Sequence, residues 1–155
     1  MSPEFLIELS SLPLFPRTAR EIIELIGLEK TAALISAWGG GSWPVPMRVG
    51  GGNTAGRVRY AQLCEVIGDG AAERIVRHWG GTDLDVPNLK EVIWSYHQDT
   101  IRDEFDVLTT ARAYSGREAV FELALKYGVT SKAVQNALKR PANVRCEPAA
   151  QASLF

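Results

Sequence analysis

The chain has 155 residues, 46% apolar and 23% charged, with a net charge of −1; this is an ordinary globular balance that gives no general affinity for polyanions. No run approaches the roughly 18 uninterrupted apolar residues of a membrane span, and MSPEFLIELSSLPLF lacks the basic start and long apolar run of a signal peptide. Cys64 and Cys146 show neither metal nor redox spacing, so a cytoplasmic protein with reduced thiols and no membrane partner is expected.

The first predicted element opens at Thr18, which forms a capping box with Glu21. Ile22, Ile23 and Ile26 give its apolar face, and Gly27 interrupts it. A second helix carries Leu34, Ile35 and Trp38 on one face and stops at Gly39, expected as a left-handed cap. The period then changes to two, and Trp43 and Val45 alternate with Pro44 and Pro46 as a short edge strand.

The same phrase returns 41 residues later. Aligning Ile22–Pro46 with Leu63–Pro87 needs no gap, and eight of the 25 pairs are identical, among them Trp38/Trp79, Gly39/Gly80, Gly40/Gly81, Val45/Val86 and Pro46/Pro87. In the second copy Asp69 is the expected N-cap, Gly80 the expected stop, and Leu84 and Val86 alternate with Asp83 and Asp85. A short strand needs a partner for its backbone groups, so Trp43, Val45, Leu84 and Val86 are the candidate platform strand-pairing residues. Two arrangements satisfy the repeat: strand pairing about a pseudo-twofold axis, or two helical units packed side by side. The domain expected over residues 1–87 contains repeats at 18–47 and 59–88.

Between the copies, RVGGGNTAGRVRY is glycine-rich but lacks the spacing of a phosphate-binding loop, and a flexible linker is expected. Its Arg48, Arg57 and Arg59 have the charge to touch a phosphate backbone. Asn88 is expected to cap a linking helix over 88–107, with Val92, Ile93, Tyr96, Ile101 and Phe105 buried, and Lys90, Glu91, Gln98, Asp99 and Asp103 solvated.

From Leu108 onward seven basic residues stand against three acidic ones, a balance of +4, whereas the first 107 residues carry −5. Such asymmetry marks a nucleic-acid-facing end. Within this half, Ser115 and Glu118 form a capping box that opens a helix through Val120, Phe121, Leu123 and Ala124. Gly128 ends it, Thr130 or Ser131 caps the next helix, and Pro141 closes that one. Ala124, Gly128 and Val134 stand at i, i+4 and i+10, the spacing of a helix-turn-helix; Leu123, Val129 and Leu138 complete its core. That unit is expected over 108–141, with a flexible tail over 142–155.

The exposed face of the second helix carries groups suited to the major groove of double-stranded DNA. Lys132, Gln135, Asn136 and Lys139 are the candidate base-reading residues, and Ser115, Arg117, Thr130, Ser131 and Arg140 the candidate phosphate contacts. The fold class expected is mostly α with two short β-strands: a duplicated helix–helix–strand platform, a linking helix and a C-terminal helix-turn-helix. No catalytic constellation, metal cluster or cofactor loop is present in the sequence, so no enzyme, metal or cofactor is expected.

Ile67-Gly68, Trp79-Gly80-Gly81, Val86-Pro87, Ile101-Arg102-Asp103-Glu104-Phe105 and ELALKYGVT from Glu122 to Thr130 together resemble the Mor transcription activators, the middle operon regulators of Mu-like phages. The resemblance implies a DNA-binding regulator of phage or prophage origin, activator-like, with RNA polymerase at a promoter as a protein partner. It also implies a helix–strand platform shared between two subunits. Two features depart from that layout: the additional copy at Ile22–Pro46, and the longer connection VLTTARAYSG. A homodimer and a pseudo-dimeric monomer are therefore both open. The alternative function is a protein-interaction module, an anti-repressor or accessory phage protein built on a helix-turn-helix-like fold.

Overall fold

The structure, a computed structural model, describes residues 1–141, which fall into two units. One holds residues 1–11 and 15–89, the other residues 12–14 and 90–141. The tail expected over 142–155, including Cys146, lies outside the described residues. The fold is mostly helical, with one two-stranded sheet among the described residues.

The first unit runs α1 (Pro3–Ser10), α2 (Arg17–Ile26), α3 (Leu28–Trp38), β1 (Ser42–Pro44), α4 (Thr54–Ile67), α5 (Asp69–Trp79) and β2 (Asp83–Asp85). Helix α1 has no counterpart in the sequence reading; Ser2 caps it by accepting from the Phe5 N–H, and it buries Leu6 and Leu9. The remaining elements recur at the 41-residue offset. Helices α3 and α5 are each 11 residues long, and the glycines before them share one conformation, Gly27 at φ 85°, ψ 166° and Gly68 at φ 84°, ψ 166°. Helix α2 packs on α3 and α5, and α4 packs on α5 and α3. Their apolar stripes meet in one core, where Ile22, Ile26, Leu34 and Ile35 match Leu63, Ile67, Ile75 and Val76, all buried. Cys64 replaces Ile23 in this pattern and is half-buried; burial and the Asp69 carboxylate push its thiol up, away from the reactive thiolate.

Strands β1 and β2 pair antiparallel, with Ser42 opposite Asp85, Trp43 opposite Leu84 and Pro44 opposite Asp83. They begin one residue earlier than the alternation predicts. Val45 and Val86 instead lie just past the strand ends and are tied by flanking bonds that mirror one another. Val86 N–H donates to the Gly41 carbonyl (2.9 Å), and Val45 N–H to the Thr82 carbonyl (2.9 Å). Gly40 N–H donates to Val86 (2.7 Å), and Gly81 N–H to Val45 (3.2 Å). Each residue of the first pair is 41 positions from its equivalent in the second.

Several local expectations are corrected. Thr18 lies inside α2, whose N-cap is Pro16 with no side-chain bond; Glu21 pairs with Arg17 one turn back at 3.1 Å. Asp69 is the first residue of α5 and Gly68 is its cap. Gly39 and Gly80 are not left-handed, at φ −53° and −51°; the positive φ falls one residue later, at Gly40 (88°) and Gly81 (79°). What Gly39 and Gly80 provide is close approach, because a Cβ on Gly39 would sit 2.5 Å from the Ile35 carbonyl oxygen, and one on Gly80 2.5 Å from that of Val76. The linker is also a folded turn: Gly51 is buried with its backbone against Gly56 and Arg57, and Asn53 caps α4 by accepting from Gly56 N–H at 2.7 Å.

The second unit consists of α6 (Lys90–Thr110), α7 (Gly116–Tyr127) and α8 (Ser131–Lys139), each packed on the other two. Ile101, Val120, Leu123, Ala124, Val134 and Ala137 form its core, flanked by Phe105, Leu108, Val129 and Leu138. Helix α6 continues past residue 107 because Val107-Leu108-Thr109-Thr110 contains no breaker; Thr109 Oγ1 bonds back to the Phe105 carbonyl at 2.9 Å, and the turn comes at Ala113, φ 54°. Gln98, expected in solvent, is 7% exposed. Phe121, one of the four apolar residues in this stretch of α7, is 57% exposed, since Val120, Leu123 and Ala124 already fill the inward stripe.

Candidate nucleic-acid interface

The turn between α7 and α8 begins at Gly128, which is left-handed at φ 64°, ψ 33°. Its N–H reaches the Leu125 carbonyl (3.3 Å) and that of Val129 reaches Ala124 (3.0 Å), a Schellman closure of the last turn of α7. Thr130 then caps α8, its Oγ1 accepting from Ala133 N–H at 3.1 Å. Val134 is fully buried, and the small Ala124 in α7 belongs to the same core. This closure and packing orient α8 and turn its other face outward.

Lys132, Gln135, Asn136 and Lys139 are all exposed and stand at i, i+3, i+4 and i+7, one stripe of the helix. No acidic residue lies in α8. Thr130 and Ser131 are exposed at its N-terminal end, where backbone donors and the helix dipole favour an anion. Arg140 is exposed at the C-terminal end, nine residues on from Ser131 and roughly 13 Å along the axis.

Ser115 and Arg117 are brought to the other helix, at the start of α7. Ser115 N–H donates to Glu118 Oε2 (2.9 Å), and Ser115 Oγ accepts from Glu118 N–H (3.3 Å). The carboxylate therefore occupies the α7 N-terminus, leaving Ser115 its own O–H for any phosphate. Those bonds hold the Glu118 carboxyl below the usual carboxylate range. A depressed folded-state value means that its contribution is present above the ordinary carboxylate pKa and is lost as pH falls through the depressed one. Ser115→Ala removes the hydroxyl that accepts from Glu118 N–H and is expected to cost about 1 kcal/mol of stability in urea melts. The pH-dependent part rests on the backbone N–H of residue 115, and Glu118→Gln should remove it, with its melts converging on those of the parent in acid.

Two residues that the sequence reading named only within the family-like stretch Ile101–Phe105 hold the frame together. Arg102 on α6 donates to the carbonyls of Ala137 (3.1 Å) and Arg140, the free carbonyl end of α8. Glu104 Oε1 accepts from Lys126 Nζ (2.7 Å) and from the Tyr127 hydroxyl (3.0 Å). Burial and this carboxylate push the Tyr127 phenol up to about 12. One helix thus clamps the C-terminal end of α7 through Glu104 and that of α8 through Arg102. No local pattern announces either contact, because the partners are 22 to 38 residues away.

The platform residues Trp43, Val45, Leu84 and Val86 lie in the other unit, at the β1–β2 ladder and its flanking bonds. Trp43 also stacks on Trp38, with ring centroids 5.2 Å apart. Among the described residues no group of three or more His, Cys, Asp or Glu side chains is placed to hold a metal ion, and no helix is long and apolar enough to cross a membrane.

The model of the Mor transcription activator family matches residues 53–152, well over half of the chain. The chain belongs to the Mor transcription activator family. No curated protein and no solved structure matches it. Membership of Mor implies a phage transcription activator, and with it DNA binding. The Mor match begins at Asn53, the N-cap of α4, and so takes in α4, α5, β2 and the whole α6–α8 unit. Helices α1 to α3 and strand β1 lie outside it.

Proposed function

We propose that this protein is a sequence-specific DNA-binding transcription activator of phage or prophage origin, without catalysis, which reads the major groove with α8 as the second helix of a helix-turn-helix. The observation that carries the reading is the stripe Lys132, Gln135, Asn136 and Lys139, exposed on a helix that contains no acidic residue and whose opposite face is locked by Val134 and Ala137. Gln and Asn can pair bidentately with adenine and Lys with guanine acceptors, while Thr130, Ser131, Arg117 and Arg140 suit phosphates. RNA polymerase is the protein partner of such an activator, and the cytoplasm its compartment. The two helix–helix–strand copies are read as a fused platform, the pseudo-dimer of one ancestral unit.

The test is selection of bound duplexes from a random library. Gln135→Ala and Asn136→Ala should each cost about 1–2 kcal/mol at one or two base positions, whereas Arg140→Ala should weaken all sequences alike and flatten the salt dependence. Binding with no sequence preference and no salt slope would contradict the reading.

A second reading, a protein-interaction module, is favoured by one observation. Phe121 and Leu125, 57% and 65% exposed, stand one turn apart on the outer face of α7. Under that reading, Lys132→Ala/Lys139→Ala leaves regulation intact and Phe121→Ser abolishes it.

A further inference from the structure

The chain leaves each half of the platform at an equivalent point. After β1 it passes through Val45-Pro46-Met47, and after β2 through Val86-Pro87-Asn88. The equivalence persists to the last residue of each set. A Cβ on Gly81 would meet the Met47 side chain at 3.6 Å, and one on Gly40 would meet the Asn88 side chain at 3.4 Å. A Cβ on Gly80 would sit 3.3 Å from the Pro46 carbonyl oxygen, and one on Gly39 3.2 Å from that of Pro87. Beyond these points the paths diverge. From Asn88 the chain runs into α6 and the DNA-reading unit; from Met47 it turns through Arg48–Asn53 into α4.

The exit from which a second reading arm would leave is therefore used to join the two copies. A twofold contact buries the same patch on both partners, and here that patch is closed within one chain by mirrored hydrogen bonds. The outer sheet edges discourage a further copy. Strand β1 carries Pro44, which lacks a donor, and β2 carries exposed Asp83 and Asp85, so a β2–β2 edge contact between chains would oppose four carboxylates.

We infer that one chain binds DNA alone, as a single-armed reader of one asymmetric major-groove element, rather than as a pair of chains on an inverted repeat. This rests on the reading of α8 above. Two-armed helix-turn-helix proteins take two half-sites about 10 bp apart, mirrored because their protein is. A chain with a pseudo-twofold platform and one arm among its described residues has no such mirror in its DNA.

Sedimentation velocity of the full chain, free and on duplexes enriched from a random library, gives the stoichiometry, and the enriched sequences give the symmetry. The inference expects a monomer when free, one chain per duplex, and a single element without dyad symmetry. Two chains on an inverted repeat, or a free dimer, would overturn it and leave the α8 reading standing. A free monomer that enriches no sequence would instead overturn the α8 reading, and the inference would fall with it.

Discussion

Gly80→Ala is expected to destabilise the first unit by about 3 kcal/mol, and Gly39→Ala by a similar amount. The added Cβ of Gly80→Ala meets three carbonyl oxygens, of Val76 at 2.5 Å, Met47 at 3.2 Å and Pro46 at 3.3 Å. That of Gly39→Ala meets those of Ile35 at 2.5 Å and Pro87 at 3.2 Å. Every one of these neighbours is backbone, so no side chain can rotate away. Relief of the 2.5 Å contacts requires the last turn of the helix itself to open, and relief of the others requires the crossing segment to move off the helix end. The crossing segments are Pro46-Met47 over Gly80 and Pro87 over Gly39. Gly70 in α5 provides the contrast, since a Cβ there meets nothing within 4 Å. Gly70→Ala should be neutral or stabilise by about 0.5–1 kcal/mol through helix propensity. Urea melts followed by fluorescence of Trp38, Trp43 and Trp79 compare the three. Equal tolerance of all three substitutions would show that Pro46-Met47 and Pro87 do not close on these helix ends as described.

Arg102→Ala is expected to cost the second unit about 2 kcal/mol and to weaken DNA binding without touching DNA. The guanidinium supplies charge-assisted bonds to two carbonyls at the C-terminus of α8, where the only backbone bond to either of them among the described residues is the 3.3 Å one from Arg140 N–H to Ala137. Its removal takes this donor from the Arg140 carbonyl, leaves the Ala137 carbonyl only the 3.3 Å bond from Arg140 N–H, and removes a cation from the negative end of the helix dipole. Hydrogen exchange should quicken first in the last turn of α8, before α7 responds. Arg102→Lys should recover only part of the loss, because an ammonium is a single point donor where the guanidinium reaches two carbonyls. Unchanged exchange in α8 after Arg102→Ala would remove Arg102 from the account.

The features legible in the sequence were those carried by short-range rules. Ser115 and Glu118 are three residues apart, and the capping geometry that follows from that spacing is local. Gly128 is left-handed because the turn after α7 requires it, and the alternation of Leu84 and Val86 with two aspartates records which side of β2 is dry. The repeat was legible as identity, but the sense of its glycines was not. Whether Gly39 or Gly40 carries the positive φ depends on what crosses the helix end, which is Pro87, nearly 50 positions away. Thr18 shows the limit of motif reading: the pattern Thr-x-x-Glu occurs inside a helix that Pro16 had already begun. Phe121 shows another, because four apolar residues in a row of five cannot all face one core, and only the partner helices select which are buried. The ties of Arg102 and Glu104 were not legible, since each joins helices whose closeness is a product of the fold.

The same short-range rules hold for the interface. The stripe on α8 follows from helical spacing alone, given that Val134 points inward. The capping box at Ser115 and Glu118, also legible, puts a carboxylate at the N-terminus of α7, so that the anion-accepting end of this pair of helices is that of α8, at Thr130 and Ser131.

Whether α8 reads base edges in the major groove is decided by interference with base modification. Duplexes enriched by the full chain are methylated at guanine N7, in the major groove, and separately at adenine N3, in the minor groove, and the fractions that still bind are sequenced. The account predicts that major-groove methylation blocks binding over one short contiguous stretch, that minor-groove methylation does not, and that Lys132→Ala removes the interference at a single guanine. Interference confined to the minor groove, or a pattern unchanged by substitutions at Lys132, Gln135, Asn136 and Lys139, would contradict it.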